Sequence, residues 1–73
     1  MNLKYDAQVD AAYISLVALA AGDVKNTYAC DPAEVGGQIQ LDFDEAGHLV
    51  GIEILNARQL LPGALLKAGA SSK

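Results

Sequence analysis

Two runs of strict alternation lie close together in the second half of this chain, and they limit its fold more than any other feature. In residues 38–44, Ile39, Leu41 and Phe43 alternate with Gln38, Gln40, Asp42 and Asp44. In residues 49–55, Val50, Ile52 and Ile54 alternate with Gly51 and Glu53. A period of two places successive side chains on opposite faces, so each run reads as a strand with one apolar face. Between them, Glu45-Ala46-Gly47-His48 supplies a glycine for the turn of a β-hairpin. Directly opposed residues share a sheet face. Uniting the two apolar sets therefore requires paired positions that add to an odd number, and so an even loop, either Ala46-Gly47 or residues 45–48. This register predicts Phe43 near Val50, Leu41 near Ile52 and Ile39 near Ile54, with Asp42 opposite Gly51 and Gln40 opposite Glu53. A three-residue loop would set the apolar residues of one strand against Gly51 and Glu53.

The rest of the chain carries shorter signals. Leu3-Lys4-Tyr5 reads as a first strand. The Asp6 carboxylate can accept backbone N–H groups and open a turn through residues 7–10. Residues 12–19 read as the longest strand, apolar on both faces and so central or covered on both sides. Gly22 marks a turn over residues 20–23. Residues 24–30 have the polar mix of an edge strand, ended by Asp31-Pro32 because proline cannot donate to a ladder. Residues 34–37, with Gly36-Gly37, read as a loop. After Leu55 the period changes. Asn56 and Gln59 resemble a capping box for a short helix through Leu61, and Pro62 can begin a second turn. Leu60, Leu61, Leu65 and Leu66 form an apolar stripe. The expected fold is α+β and mostly β: an antiparallel meander sheet of four or five strands with a short C-terminal helical segment. Residues 1–68 should form one domain, with 69–73 a disordered tail.

A chain of 73 residues has room for one domain. It buries only about 60–65% of its unfolded surface, so its core is marginal without a disulfide, a metal or an oligomer. The lone Cys30 excludes an internal disulfide, and Cys30 with the sole His48 excludes the usual Cys/His zinc patterns. The longest apolar run, residues 16–21, falls well short of the ~20 residues of a membrane span. Met1 and the residues after it lack the apolar stretch and cleavage site of a signal peptide, so the expected compartment is the cytoplasm. The net charge is -4, and the five bases, Lys4, Lys25, Arg58, Lys67 and Lys73, are scattered. Nucleic-acid binding needs a concentrated basic face, so neither nucleic acid nor membrane is an expected partner. Self-association remains as the way to complete the core. The second apolar face of residues 13–19, together with the leucine stripe, is more apolar surface than so small a sheet can cover.

Four groups of residues invite a chemical reading. Asp42, Asp44 and Glu53, with Glu45 nearby, fall on one side of the hairpin, and clustered carboxylates suit hard cations. The segment holds only a fragment of a calcium-binding loop, with no preceding helix and no terminal Glu at the required offset, so the preferred reading is a solvated polar face and no metal is assigned. His48 would need a nucleophile or a carboxylate aimed at it for catalysis. Asp44 or Glu45 can approach it, but a lone His at a hairpin tip is ordinarily just exposed. Cys30 stands beside Asp31, which works against a reactive thiolate, and reads as a small buried hydrophobe. Tyr5, Asp6, Asp10 and Tyr13 could form a polar pocket of two phenols and two carboxylates. Turn geometry alone explains their spacing, so the structural reading is preferred. Gly36-Gly37 lacks the Lys-Ser/Thr of a phosphate loop. No catalytic residue and no cofactor is assigned.

Tyr5-Asp6, Asp10-Ala11-Ala12-Tyr13-Ile14, Leu41-Asp42-Phe43-Asp44, and the segment Gly47-His48-Leu49-Val50-Gly51-Ile52-Glu53-Ile54-Leu55 recur here in order and spacing. Together they resemble a widespread bacterial family of small proteins, domain of unknown function 2283, over about residues 3–57. Ala7 replaces the proline of the family's usual Tyr-Asp-Pro, and His48 follows Gly47 where the last turn usually reads Asp-Gly or Gly-Asn. The resemblance implies a compact, mostly β domain and no established activity. Members of families like this sometimes sit beside small basic toxin-like proteins. The expected function is that of a self-associating structural or interaction module, not an enzyme. An antitoxin-like regulator binding a basic protein partner is the alternative, and a small metal-dependent enzyme a distant third.

Overall fold

Five short strands and three short helices make up the computed structural model, which describes residues 1–70. In order they are β1 (Asn2–Asp6), β2 (Ala11–Ser15), β3 (Asn26–Ala29), α1 (Pro32–Val35), β4 (Gln38–Phe43), β5 (Leu49–Leu55), α2 (Ala57–Leu60) and α3 (Gly63–Ala70). The strands form one antiparallel sheet in the order β1-β2-β5-β4-β3. The class is α+β, mostly β, with helix at the C-terminal end. The route through the sheet has one crossing. After β2 the chain passes to the opposite edge to form β3, and β5 returns to the middle to pair with β2.

The hairpin of β4 and β5 keeps the predicted register over most of its length. Ile39 opposes Ile54, Gln40 opposes Glu53, Leu41 opposes Ile52 and Asp42 opposes Gly51. The loop and the first pair differ from expectation. Asp44 N–H donates to the His48 carbonyl at 3.0 Å, and Gly47 N–H donates to the Asp44 carbonyl at 3.0 Å. Gly47 sits at φ 88°, the left-handed conformation that closes a three-residue loop. The loop is thus residues 45–47, an odd number. A bulge absorbs the mismatch: Phe43 opposes Leu49 instead of Val50, and Val50 becomes the extra residue. The hairpin therefore combines the favoured turn with the favoured facial pattern.

Other expectations are corrected in the same physical terms. The strand expected over residues 12–19 ends at Ser15, and only Leu16 continues it, donating to the Val50 carbonyl at 2.9 Å. The neighbouring β5 begins at Leu49, so nothing remains for Ala18 and Leu19 to pair with. Residues 34–37 are not simply a loop. Pro32–Val35 is a helical turn, with Ala33 N–H donating to Asp31 Oδ1 at 3.0 Å and Gly36 at φ 79° closing it. Asp31-Pro32 therefore ends a strand and starts a helix. Asn56 is no capping box: it adopts φ 56° and makes no side-chain cap bond.

Register fixes which side chains share a face. One rung crosses all five strands as Leu3, Ile14, Ile52, Leu41 and Tyr28, and the next runs Tyr5, Ala12, Ile54 and Ile39. These belong to the apolar face. The other face carries Lys4, Tyr13, Glu53 and Gln40 in one rung, and Ser15, Gly51, Asp42 and Thr27 in another. Ala12, Ile54 and Ala57 are buried at the centre of the core, with Leu60, Leu61 and Leu66 packed around them. Most of the leucine stripe thus folds back on its own sheet, while Leu65 stays 42% exposed. Helix α3 runs through Ala70, with Gly69 buried against Leu3 and Tyr5, so two residues assigned to a loose tail are helical. Residues 71–73 of that tail lie outside the described residues. Among the described residues, no helix is long and apolar enough to cross a membrane.

Candidate functional site

Tyr5, Asp6 and Tyr13 border one surface pocket, but Asp10 stays outside it and the two phenols bond to different aspartates. Residues at odd and even positions of paired strands point to opposite faces, and Tyr5 and Tyr13 fall on different sides: Tyr5 opposes Ala12 and Tyr13 opposes Lys4. Asp6 stays local, its Oδ1 accepting from Gln8 N–H at 2.9 Å within the turn. The remaining residues separate into two arrangements.

The first is centred on Asp10, at φ 54° in the turn after β1. Aspartate tolerates this left-handed backbone better than most side chains. Asp10 Oδ1 accepts from Tyr5 Oη at 2.8 Å and from Arg58 N–H at 2.9 Å, and the Asp10 carbonyl accepts from Ala57 N–H at 3.0 Å. The Arg58 side chain adds an ion pair, Nε to Asp10 Oδ1 at 3.5 Å, and donates to Tyr5 Oη at 3.3 Å. Asp10 therefore caps the first turn of α2 from far away in sequence, the role expected of Asn56. Partial burial pushes the Asp10 carboxyl up. The Arg58 N–H bond, the Tyr5 bond and the Arg58 charge together outweigh that effect and hold its pKa below the ordinary value.

The second lies on the polar face. Tyr13 Oη donates to Asp42 Oδ2 at 2.7 Å, and Thr27 Oγ1 donates to Asp42 Oδ1 at 2.8 Å. Tyr13 reaches Asp42 diagonally by lying across Gly51 in the intervening strand. A Cβ on Gly51 would fall on the Tyr13 hydroxyl. One hydrogen-bonded line thus ties β2 to β4 and β3 over the top of β5. Burial, the Asp42 hydrogen bond and the charges of Asp42 and Glu53 push the Tyr13 phenol from 10.0 up to about 12.

The acidic hairpin candidates are dispersed by these bonds. Asp42 is held by Tyr13 and Thr27. Asp44 serves the turn, its Oδ1 accepting from His48 N–H at 2.8 Å. Glu53 lies in the rung between Tyr13 and Gln40. Among the described residues, no group of three or more His, Cys, Asp or Glu is placed to hold a metal ion. His48 Nδ1 stands 3.7 Å from Asp44 Oδ2 with its side chain 80% exposed. Cys30 is a half-buried free thiol, its N–H donating to the Ile39 carbonyl at 2.9 Å. Thr27 and Arg58 escaped the sequence reading because their partners are set by strand order and by packing of α2, neither of which leaves a local pattern. Gly51, inside a strand of otherwise large side chains, was the one local sign of a close approach. Chemically, both arrangements join elements: each phenol and carboxylate in them is engaged by a neighbour.

The family described as Protein of unknown function (DUF2283) matches residues 2–58, a span that runs from β1 to Arg58. No curated protein and no solved structure matches the chain.

Proposed function

This chain belongs to the DUF2283 family, and we propose that it acts as a self-associating interaction module rather than as an enzyme. The observation that carries this reading is the unfinished apolar face. Its rung of Leu3, Ile14, Ile52 and Leu41 continues to Tyr28 at the sheet edge, and Tyr28 is 61% exposed. Helices α2 and α3 pack together and cover the other end, with α3 against β1, while α1 packs against β4. Only Ala12, Val50, Ile54 and Ala57 are buried hydrophobics among the described residues, a core small enough to gain from a partner. The leucine stripe is largely satisfied internally, and Tyr28 leaves the apolar face open at the β3 end. An antitoxin-like role with a basic partner draws on the net charge of -4, but Asp42 is already engaged on the polar face. The free Cys30 suits a reducing compartment, and we place the module in the cytoplasm.

Association that completes a fold makes its thermal midpoint depend on protein concentration. The midpoint should rise when the chain is concentrated a hundredfold. A midpoint that stays fixed over that range would contradict the reading.

A further inference from the structure

We infer that two copies of the chain join edge to edge through β3, antiparallel about Tyr28, to make one continuous sheet. This rests on the self-association reading and names its surface and its partner. In an antiparallel pair the hydrogen-bonded positions recur at every second residue. Cys30 N–H donates to the Ile39 carbonyl, which sets the phase, so Tyr28 turns its backbone toward β4. Thr27 and Ala29 turn theirs outward, to the free edge.

Pairing Thr27 of one copy with Ala29 of the other uses every outward N–H and C=O of both strands. A shift toward Lys25 loses bonds, because Lys25 N–H is already given to the Phe43 carbonyl at 2.9 Å. A shift toward Asp31 loses them too, because the chain there turns into α1. In the central register, Lys25 just before β3 of each copy comes near Asp31 just after β3 of the other, both outside the paired residues. Opposite charges at both ends then support the same alignment that the backbone favours. Tyr28 meets its own symmetry mate at the twofold axis, in the position where side chains approach closest. The rule that opposed residues share a face makes the two apolar faces one surface, with the tyrosine pair at its centre.

The edge strand is short, but within it no charge or proline guards the free backbone groups: Asn26, Thr27, Tyr28 and Ala29 are all exposed. The opposite edge, β1, carries Lys4 and has α3 packed against it.

Ala29→Pro removes only an outward N–H and leaves the bonds to β4 in place. Its far-UV circular dichroism should match the wild type while its mass by light scattering falls to that of the single chain. In a Cys30→Ser background, Tyr28→Cys should form a disulfide-linked dimer under mild oxidation, since the paired Cα atoms would lie about 4.5 Å apart. Ala29→Cys in the same background should not, because its symmetry mate is displaced by about 7 Å along the strand. The disulfide pair decides the matter if Ala29→Pro fails to fold. Continued association of Ala29→Pro with no Tyr28→Cys crosslink would overturn the β3 edge and leave self-association standing. A monomeric wild type would overturn both.

Discussion

A glycine in the middle of a central strand ordinarily weakens it, having no side chain to pack and more backbone freedom to lose. At Gly51 the absent side chain is what admits Tyr13, and the sheet gains a tie across three strands in exchange. The sequence allowed the space at Gly51 to be anticipated, and the opposition of Asp42 and Gly51 with it. It did not disclose the tenant, because a diagonal contact depends on the neighbouring strand's register and on a side-chain rotamer. Gly51→Ala should cost about 1–3 kcal/mol, as overpacking does. Most of that cost should vanish in a Tyr13→Ala background, which denaturant unfolding of the double-mutant cycle can measure. Tyr13 also has a pH signature. Its pKa is raised in the fold, so its contribution to stability is complete below pH 10.0 and is lost as pH climbs toward about 12. Tyr13→Phe should unfold with a shallower pH dependence in that interval, and an unchanged slope would contradict the assignment.

Elements in this molecule are often finished by residues outside them. Helix α2 is too short to hold itself, and its first N–H groups are taken by Asp10 from the turn between β1 and β2. Local reading assigned that cap to Asn56, since a capping-box pattern is visible within a few residues and a contact between distant segments is not. The β4–β5 hairpin shows the same limit at closer range. Parity correctly fixed the facial pairing of Leu41 with Ile52 and Ile39 with Ile54, but a three-residue loop with a compensating bulge satisfies parity as well as an even loop does. Asp10→Ala should lower the thermal midpoint and speed hydrogen exchange at the Arg58 amide on the order of tenfold, with less effect in β4. Acid should act in the same direction. The folded carboxyl binds its proton less readily than the unfolded one at 3.8, so its contribution is full above that value and fades as pH falls through the folded pKa.

At the scale of the whole molecule, composition and alternation were enough for the class, the antiparallel sheet and the edge character of β3. The order of strands was not legible, because the crossing from β2 to the far edge depends on which neighbours are available and not on any residue in the connection. That order explains two corrections together: β2 ends where β5 runs out, and the leucines of α2 and α3 find β1, β2 and β5 beneath them. What remains open is the β3 end of the apolar face. The most direct test is the mass of the purified chain by light scattering after size exclusion. Association that completes the core predicts at least twice the 7.6 kDa of one chain at micromolar concentration. A folded species at the mass of a single chain would contradict it.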